Sequence, residues 1–209
     1  MKKAKSGPGA PGAAPPRRRN AAATREAILQ SARQAFARAG YDGAGVREIA
    51  SGAGVTAMLV NRYFGSKEQL FAEVVVRTMS APQILRPEML QSAITGKDIA
   101  TMLIEITKAG ATPLEGFLIM LYSASSKPAA EIGREQIELH YHKMLTGALR
   151  GALAPQRAAL VLALIAGVQV MRQMIGLTAL ADAEPAALIK LLAPVFQLLI
   201  DGAPSPPRA

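Results

Sequence analysis

In the stretch GVTAMLVNRYFGSKEQLF, residues 54–71, an amide and a guanidinium stand side by side at Asn61 and Arg62, in a short apolar segment that follows a glycine turn. An Asn amide bonds N6 and N7 of adenine, an Arg guanidinium forks onto guanine or grips a phosphate, and small or flexible apolar groups such as Ala57 and Met58 touch a thymine methyl. Thr56, Tyr63 and Lys67 are the types that hold phosphates, as are free backbone N–H groups at the helix start beside Ser66. Such a set reads a duplex only if one helix carries it outward.

The apolar spacing predicts that helix. At about 100° per residue, Ala57, Met58, Asn61 and Arg62 of Ala57–Phe64 share one arc, and Leu59, Val60, Tyr63 and Phe64 the other. Thr56 stands where an N-cap belongs, and Gly65 closes the helix. Upstream, Ile28, Ala32, Ala35, Phe36 and Ala39 predict a first helix from Thr24 to Gly40, and Val46, Ile49, Ala50 and Ala53 a short second one. Ser66 and Gln69 have capping-box spacing for a fourth helix with an apolar stripe of Leu70, Phe71, Val74 and Val75. Two short helices across a tight glycine turn, the second with a polar outer face, make a helix-turn-helix. The competing reading of Asn61-Arg62-Tyr63 is the solvated end of a small helix.

Charge favours the first reading. Residues 1–67 hold 12 Lys/Arg against three Asp/Glu, and the rest of the chain 12 against 12, so the whole net charge of +9 lies in the first third. A segregated basic segment seeks a polyanion, double-stranded DNA or an anionic membrane surface. The opening MKKAKSGPGAPGAAPP is basic but has no apolar core of a signal peptide, so residues 1–19 read as a disordered arm and a cytoplasmic location is expected. Arg17, Arg18 and Arg19 at its end are placed to reach phosphates or a narrow minor groove. The most apolar run, Ala158–Met171, is shorter than the ~20 residues of a spanning helix and reads as a buried helix, with no membrane partner expected. The chain has no cysteine and two histidines, which leaves no thiol chemistry and little for zinc. No metal, cofactor or active-site motif is expected, and so no enzyme.

With these residues in view, 24–71, TREAILQSARQAFARAGYDGAGVREIASGAGVTAMLVNRYFGSKEQLF, resembles the N-terminal domain of the tetracycline-repressor (TetR) family of bacterial transcriptional regulators, most specifically in AFARAGYDG, VREIASGAGV and RYFGSKEQLF. The resemblance implies an all-helical homodimer, usually a repressor, whose C-terminal domain binds a small effector and dimerises through its last two long helices. By motif position Thr56, Ala57, Met58, Asn61, Arg62, Tyr63 and Lys67 face DNA, with Val60 and Phe64 inside; Arg47 and Arg25 complete the expected contacts. Gly45, Met58 and Asn61 depart from the family's frequent Ser/Thr, Gly and Tyr, which leaves the operator sequence open.

The remainder predicts helices at about 83–94, 98–109, 113–126, 128–152, 155–178 and 184–201, with a kink or break at Pro194 and a disordered tail from 202. The resulting domains are 20–67 for DNA binding and 68–201 for effector binding and dimerisation. Leu164, Gly167, Val168, Met171, Leu191, Val195 and Leu198 lie on apolar helix faces that suit either a four-helix interface or burial within one protomer, and the resemblance favours the interface. Met102, Phe117, Met120, Tyr122, Tyr141, Met144 and Met174 are the candidates for an effector cavity, ordinary core being the alternative for each. Glu131, Glu135, Glu138 and His142 share a helix face, read as solvated rather than metal-binding, since Arg134 and Lys143 lie close by. The whole is expected to be a ligand-released repressor; a DNA-organising protein of the same fold, or a helical carrier or enzyme with a basic anchor, are the alternatives.

Overall fold

The computed structural model describes residues 16–79, 85, 94–108 and 110–202, with side chains from residue 21 onward, and among them every regular element is helical. Helix α1 spans Pro16–Gly43, beginning eight residues before the expected Thr24. Pro is well placed in a first helical turn and the Arg/Ala-rich residues after it favour helix, yet their polarity gives no apolar period to detect. At Gly40 the backbone takes φ 66°, ψ −175°, a conformation essentially reserved for glycine, and the helix breaks there as expected before one further turn. Helices α2 (Val46–Gly52), α3 (Ala57–Phe64) and α4 (Lys67–Met79) follow.

These four helices close around Ile28, Phe36, Ile49, Val60, Phe64 and Phe71, joined by Ile119 and Ala129 from later helices. Phe71 sits at the centre, edge-on to Phe36 at 5.0 Å and to Tyr41 at 5.2 Å between ring centroids. The Ser66–Gln69 capping box forms, each backbone N–H donating to the other residue's side chain at 3.2 Å. Thr56 occupies the N-cap of α3 in extended conformation, but its hydroxyl accepts no helix N–H, so that expectation holds for position and not for bonding.

The rest of the chain forms α5 (Gly96–Ile106), α6 (Glu115–Ser123), α7 (Lys127–Ile137), α8 (Lys143–Ala148), α9 (Ala154–Gln169), α10 (Thr178–Ala181) and α11 (Pro185–Asp201). The predicted 83–94 helix lies outside the described residues apart from Leu85 and Ile94, as does the tail beyond Gly202. A capping box between Thr95 and Asp98 starts α5 two residues earlier than periodicity predicts, and its hydrogen bond from Thr95 holds the Asp98 carboxyl below its usual value. Two π-helical turns, Glu138–His142 between α7 and α8 and Val170–Met174 after α9, interrupt what the sequence reads as uniform helices. Pro194 neither ends nor divides α11, which continues to Asp201.

A second core gathers Leu103, Leu145, Val161, Ile165 and Phe196. Helix α5 packs on α11, α6 on α1 and α7 on α4, so the N-terminal helices rest directly on the C-terminal ones. Gly96 permits the first pairing: a Cβ there would lie 2.2 Å from the Ala193 carbonyl oxygen. Its N–H donates to Gln197 Oε1 at 2.7 Å.

The helix Ala154–Met174 reaches the length and composition of a membrane-crossing segment, longer than the apolar run alone, and only 28% of it is buried, which corrects its reading as a buried helix. It packs inward through Ala158, Val161 and Ile165, while Leu160, Gly167 and Met171 face away. Its two arginines are themselves buried and act as clamps. Arg157 donates to the carbonyls of Leu199 at 2.9 Å and Ile200 at 2.8 Å, near the C-terminus of α11. Arg172 donates to the Ile104 carbonyl at 3.0 Å and Thr107 Oγ1 at 2.8 Å at the end of α5. A cation near a helix C-terminus satisfies carbonyls that have no partner in the next turn.

Candidate nucleic-acid interface and ligand cavity

Helix α3 separates its faces as its spacing requires. Val60 and Phe64 are buried, Asn61 and Arg62 are exposed, and Met58 is 81% exposed. Neither Asn61 nor Arg62 has a side-chain hydrogen bond or ion pair among the described residues, so both are free for an external acceptor or donor. Ala57, assigned to the same arc, is half-buried against the N-terminal core, because the first turn of α3 leans on it.

The flanking candidates divide. Thr56 and Arg47 are exposed, and Arg17, Arg18 and Arg19 belong to the first turns of α1 rather than to an unstructured arm. Tyr63 is half-buried beside Phe64. The Lys67 ammonium lies 4.5 Å over the Tyr41 ring, and Arg25 lies 4.8 Å over the Phe64 ring while pairing with Glu73. Arg25 therefore ties α1 to α4, which the sequence had no means of showing. Two of the N–H groups expected to be open to phosphate, those of Ser66 and Gln69, are taken by their own capping box.

The C-terminal end of α1 is held against α6. The Tyr41 N–H donates to Ser123 Oγ at 2.9 Å, Ser126 Oγ to Asp42 Oδ1 at 3.1 Å, and a Cβ on Gly40 would lie 2.2 Å from the Tyr122 carbonyl oxygen. Tyr41 also donates its hydroxyl to Glu68 Oε1 at 2.7 Å. Burial, with that bond, raises the Tyr41 phenol above its ordinary value, and the same bond lowers the Glu68 carboxyl.

Behind this junction lies a cavity of about 340 Å³ walled by α1 at Arg33, by α4 at Thr78 and Met79, by α6 at Phe117, and by α9 at Ile165 and Gln169. A second, of about 560 Å³, shares Phe117, Met120 and Leu162 with it. Of the seven predicted cavity residues, Phe117, Met120 and Tyr141 line these spaces and four do not. Met102 packs in the C-terminal core and accepts the Leu85 N–H at 3.4 Å; Tyr122 is exposed on α6; Met144 and Met174 are half-buried elsewhere. Helical periodicity marks such residues as inward without saying which side of the core is hollow. Gln169 was missed, although a lone amide in the run LVLALIAGVQVM was a visible signal. Glu131, Glu135 and Glu138 are exposed, Glu138 faces Arg134 at 3.7 Å, and His142 meets the Pro155 carbonyl at 2.8 Å.

Along α9, the π turn that continues it and α11 a row of apolar residues is uncovered. Leu191 is 68% exposed, Met171, Val195 and Leu198 are also exposed, and nothing lies within 4 Å of a Cβ built on Gly167. Leu164 and Val168 are half-buried, packed against the second core.

A helix-turn-helix whose second helix offers free polar side chains, resting on a helical domain with an apolar cavity, defines a two-part DNA-binding regulator. Residues 28–74 match the family described as bacterial regulatory proteins, tetR family, and residues 94–200 match the tetracyclin repressor-like C-terminal domain. With both halves matched in order, the chain belongs to the TetR family. Its fold is similar to a transcriptional regulator from Rhodococcus sp. Rha1, with TM-score 0.60 and 23% identity over 86% of this chain and 99% of that one. It is similar too to FadR from Bacillus subtilis in complex with stearoyl-CoA, with TM-score 0.60 and 18% identity over 85% and 98% of the two chains. AibR in complex with isovaleryl coenzyme A and operator DNA aligns with TM-score 0.57 and 16% identity over 83% and 98%. No curated protein matches the sequence.

Proposed function

We propose that this protein is a homodimeric, cytoplasmic one-component repressor that binds an inverted-repeat operator and is released by a small-molecule effector. The observation that carries the reading is the free Asn61/Arg62 face of α3 in the basic third of the chain, in one core with α1 and α4, which also wall an apolar cavity. The two recognition helices of a dimer would meet half-sites about 34–36 Å apart, one turn of DNA, or a multiple of that. The uncovered row on α9 and α11 supports a four-helix interface between protomers.

An effector lowers operator affinity only by binding the two head arrangements unequally. Because α1 and α4 each contribute to the cavity wall, its occupancy bears on the elements that orient α3. Two proteins of similar fold are described in complex with an acyl-coenzyme A, one of them also with operator DNA, which supports a fold able to take both a small molecule and DNA.

Selection of binding sites from random duplexes at near-physiological salt tests the proposal. An enriched inverted repeat is expected. Salt-sensitive binding without any motif would return the protein to a DNA-organising role.

A further inference from the structure

We propose that the cavity accepts an uncharged, elongated lipophile with one hydrogen-bonding group, held at its polar point by Gln169 and Tyr141. The proposal rests on the reading of the C-terminal domain as the ligand-holding part. Gln169 is 2% exposed, lines the smaller cavity, and its Oε1 has no hydrogen-bond partner among the described residues. Buried amide oxygens are nearly always bonded, so one left open on a cavity wall awaits a donor from whatever fills the space.

Tyr141 stands on the same cavity's wall, and its phenol, a protonated donor at neutral pH as phenols ordinarily are, is pushed higher still by burial. Both residues sit at interruptions of regular helix. Tyr141 is inside the π turn Glu138–His142, and Gln169 is the last residue before the π turn Val170–Met174. Single π turns shift the register of the side chains around them and recur at functional sites.

The charged groups on the walls point to a neutral guest. Arg33 forms an ion pair with Glu115 at 2.9 Å that balances its charge, although its Nε–H is not in hydrogen-bonding geometry, Arg77 pairs with Glu26 at 2.6 Å and with Glu73 at 3.5 Å, and Arg134 in the second cavity with Glu138 at 3.7 Å. A carboxylate would have to displace one of these acids or lose its water among apolar walls, and an ammonium would meet the paired arginines. Elongation follows from the partition. Phe117, Met120, Ile137, Leu162 and Ala166 border both cavities, so a single layer of side chains divides them. Met120 is the adaptable member, with its methyl lying over Gly133.

The test uses the full chain and N-phenyl-1-naphthylamine, a neutral fluorescent lipophile with one N–H donor, displaced by decan-1-ol, decanoate or decyltrimethylammonium. These three share a tail and differ in head charge. Decan-1-ol is expected to displace the probe at a concentration at least tenfold below either ion. Gln169→Leu should weaken decan-1-ol about tenfold, the worth of one hydrogen bond, with unchanged helical circular dichroism and an unchanged or higher Tm. The proposal is overturned if decanoate or the ammonium matches the alcohol, if Gln169→Leu leaves decan-1-ol binding unaltered, or if the folded protein takes up no probe. Site selection without ligand separates the two readings: a selected operator with no probe uptake rejects the cavity assignment alone, and the expected displacement order with no selected site rejects the regulator alone.

Discussion

Asn61 and Arg62 end in water on a face whose neighbours, Val60 and Phe64, anchor the helix, so truncating them removes binding groups and little else. Asn61→Ala and Arg62→Ala are each expected to weaken the selected operator by about 1–3 kcal/mol if they make bidentate base contacts. Their Tm should stay near wild type, as for exposed sites generally, with stability changed by less than about 0.5 kcal/mol; fluorescence anisotropy and thermal melts check the two halves. These residues were legible because exposed polarity on a short amphipathic helix shows in spacing alone. Arg25 and Lys67 were not, because their partners Glu73, Phe64 and Tyr41 are brought together only by the packing of α1, α3 and α4. Tyr41 and Glu68 give a pH signature. The lowered Glu68 carboxyl contributes stability that is present above its unfolded-state value and lost as pH falls through the folded one. The raised Tyr41 phenol contributes stability lost only at strongly alkaline pH. Tyr41→Phe should therefore be less stable than wild type at pH 7, and the gap should narrow as denaturant melts are repeated toward acid pH.

Helix α1 shows what one backbone conformation does for an element. Gly40 ends the regular helix in a region that a side chain cannot adopt without strain, and that break lets the next turn bring Tyr41 and Asp42 to Ser123 and Ser126. Gly40→Ala adds both the strain and a Cβ against the Tyr122 carbonyl, so a loss of more than about 2 kcal/mol is expected in urea unfolding. The glycine was readable as a helix stop; the carbonyl pressed against it was not, since Tyr122 is distant in sequence. The two π turns were equally invisible, because the residues around them keep an apolar pattern compatible with an uninterrupted helix. The early start of α1 escaped for the opposite reason: its sequence has no apolar period, and intrinsic propensity is a weaker signal than periodicity.

Along the chain, the excess charge lies in the first third and the uncovered apolar surface on α9 and α11 in the last. If the proposed dimer forms through this row, a Leu191→Asp/Leu198→Asp double variant should be monomeric in light scattering where the wild type is dimeric, and should weaken the full operator far more than a half-site, since both heads must then bind separately. Removing residues 1–19 should reduce the slope of log affinity against log salt by roughly 0.9 for each phosphate those residues neutralise. An unchanged slope would assign them no DNA contact. The family, the helix-turn-helix and its outward face follow from local pattern: amphipathic spacing, glycine stops, capping residues and charge segregation all act over a few turns of chain, so one strand of sequence carries them. Whether a methionine packs or lines a hollow, whether an arginine meets solvent or clamps a distant helix end, and where a buried amide is left without a partner depend on helices far apart in sequence. Met102, Arg172 and Gln169 took their roles only when those helices met, because cavities and unpaired groups belong to the packing between elements and not to any one of them.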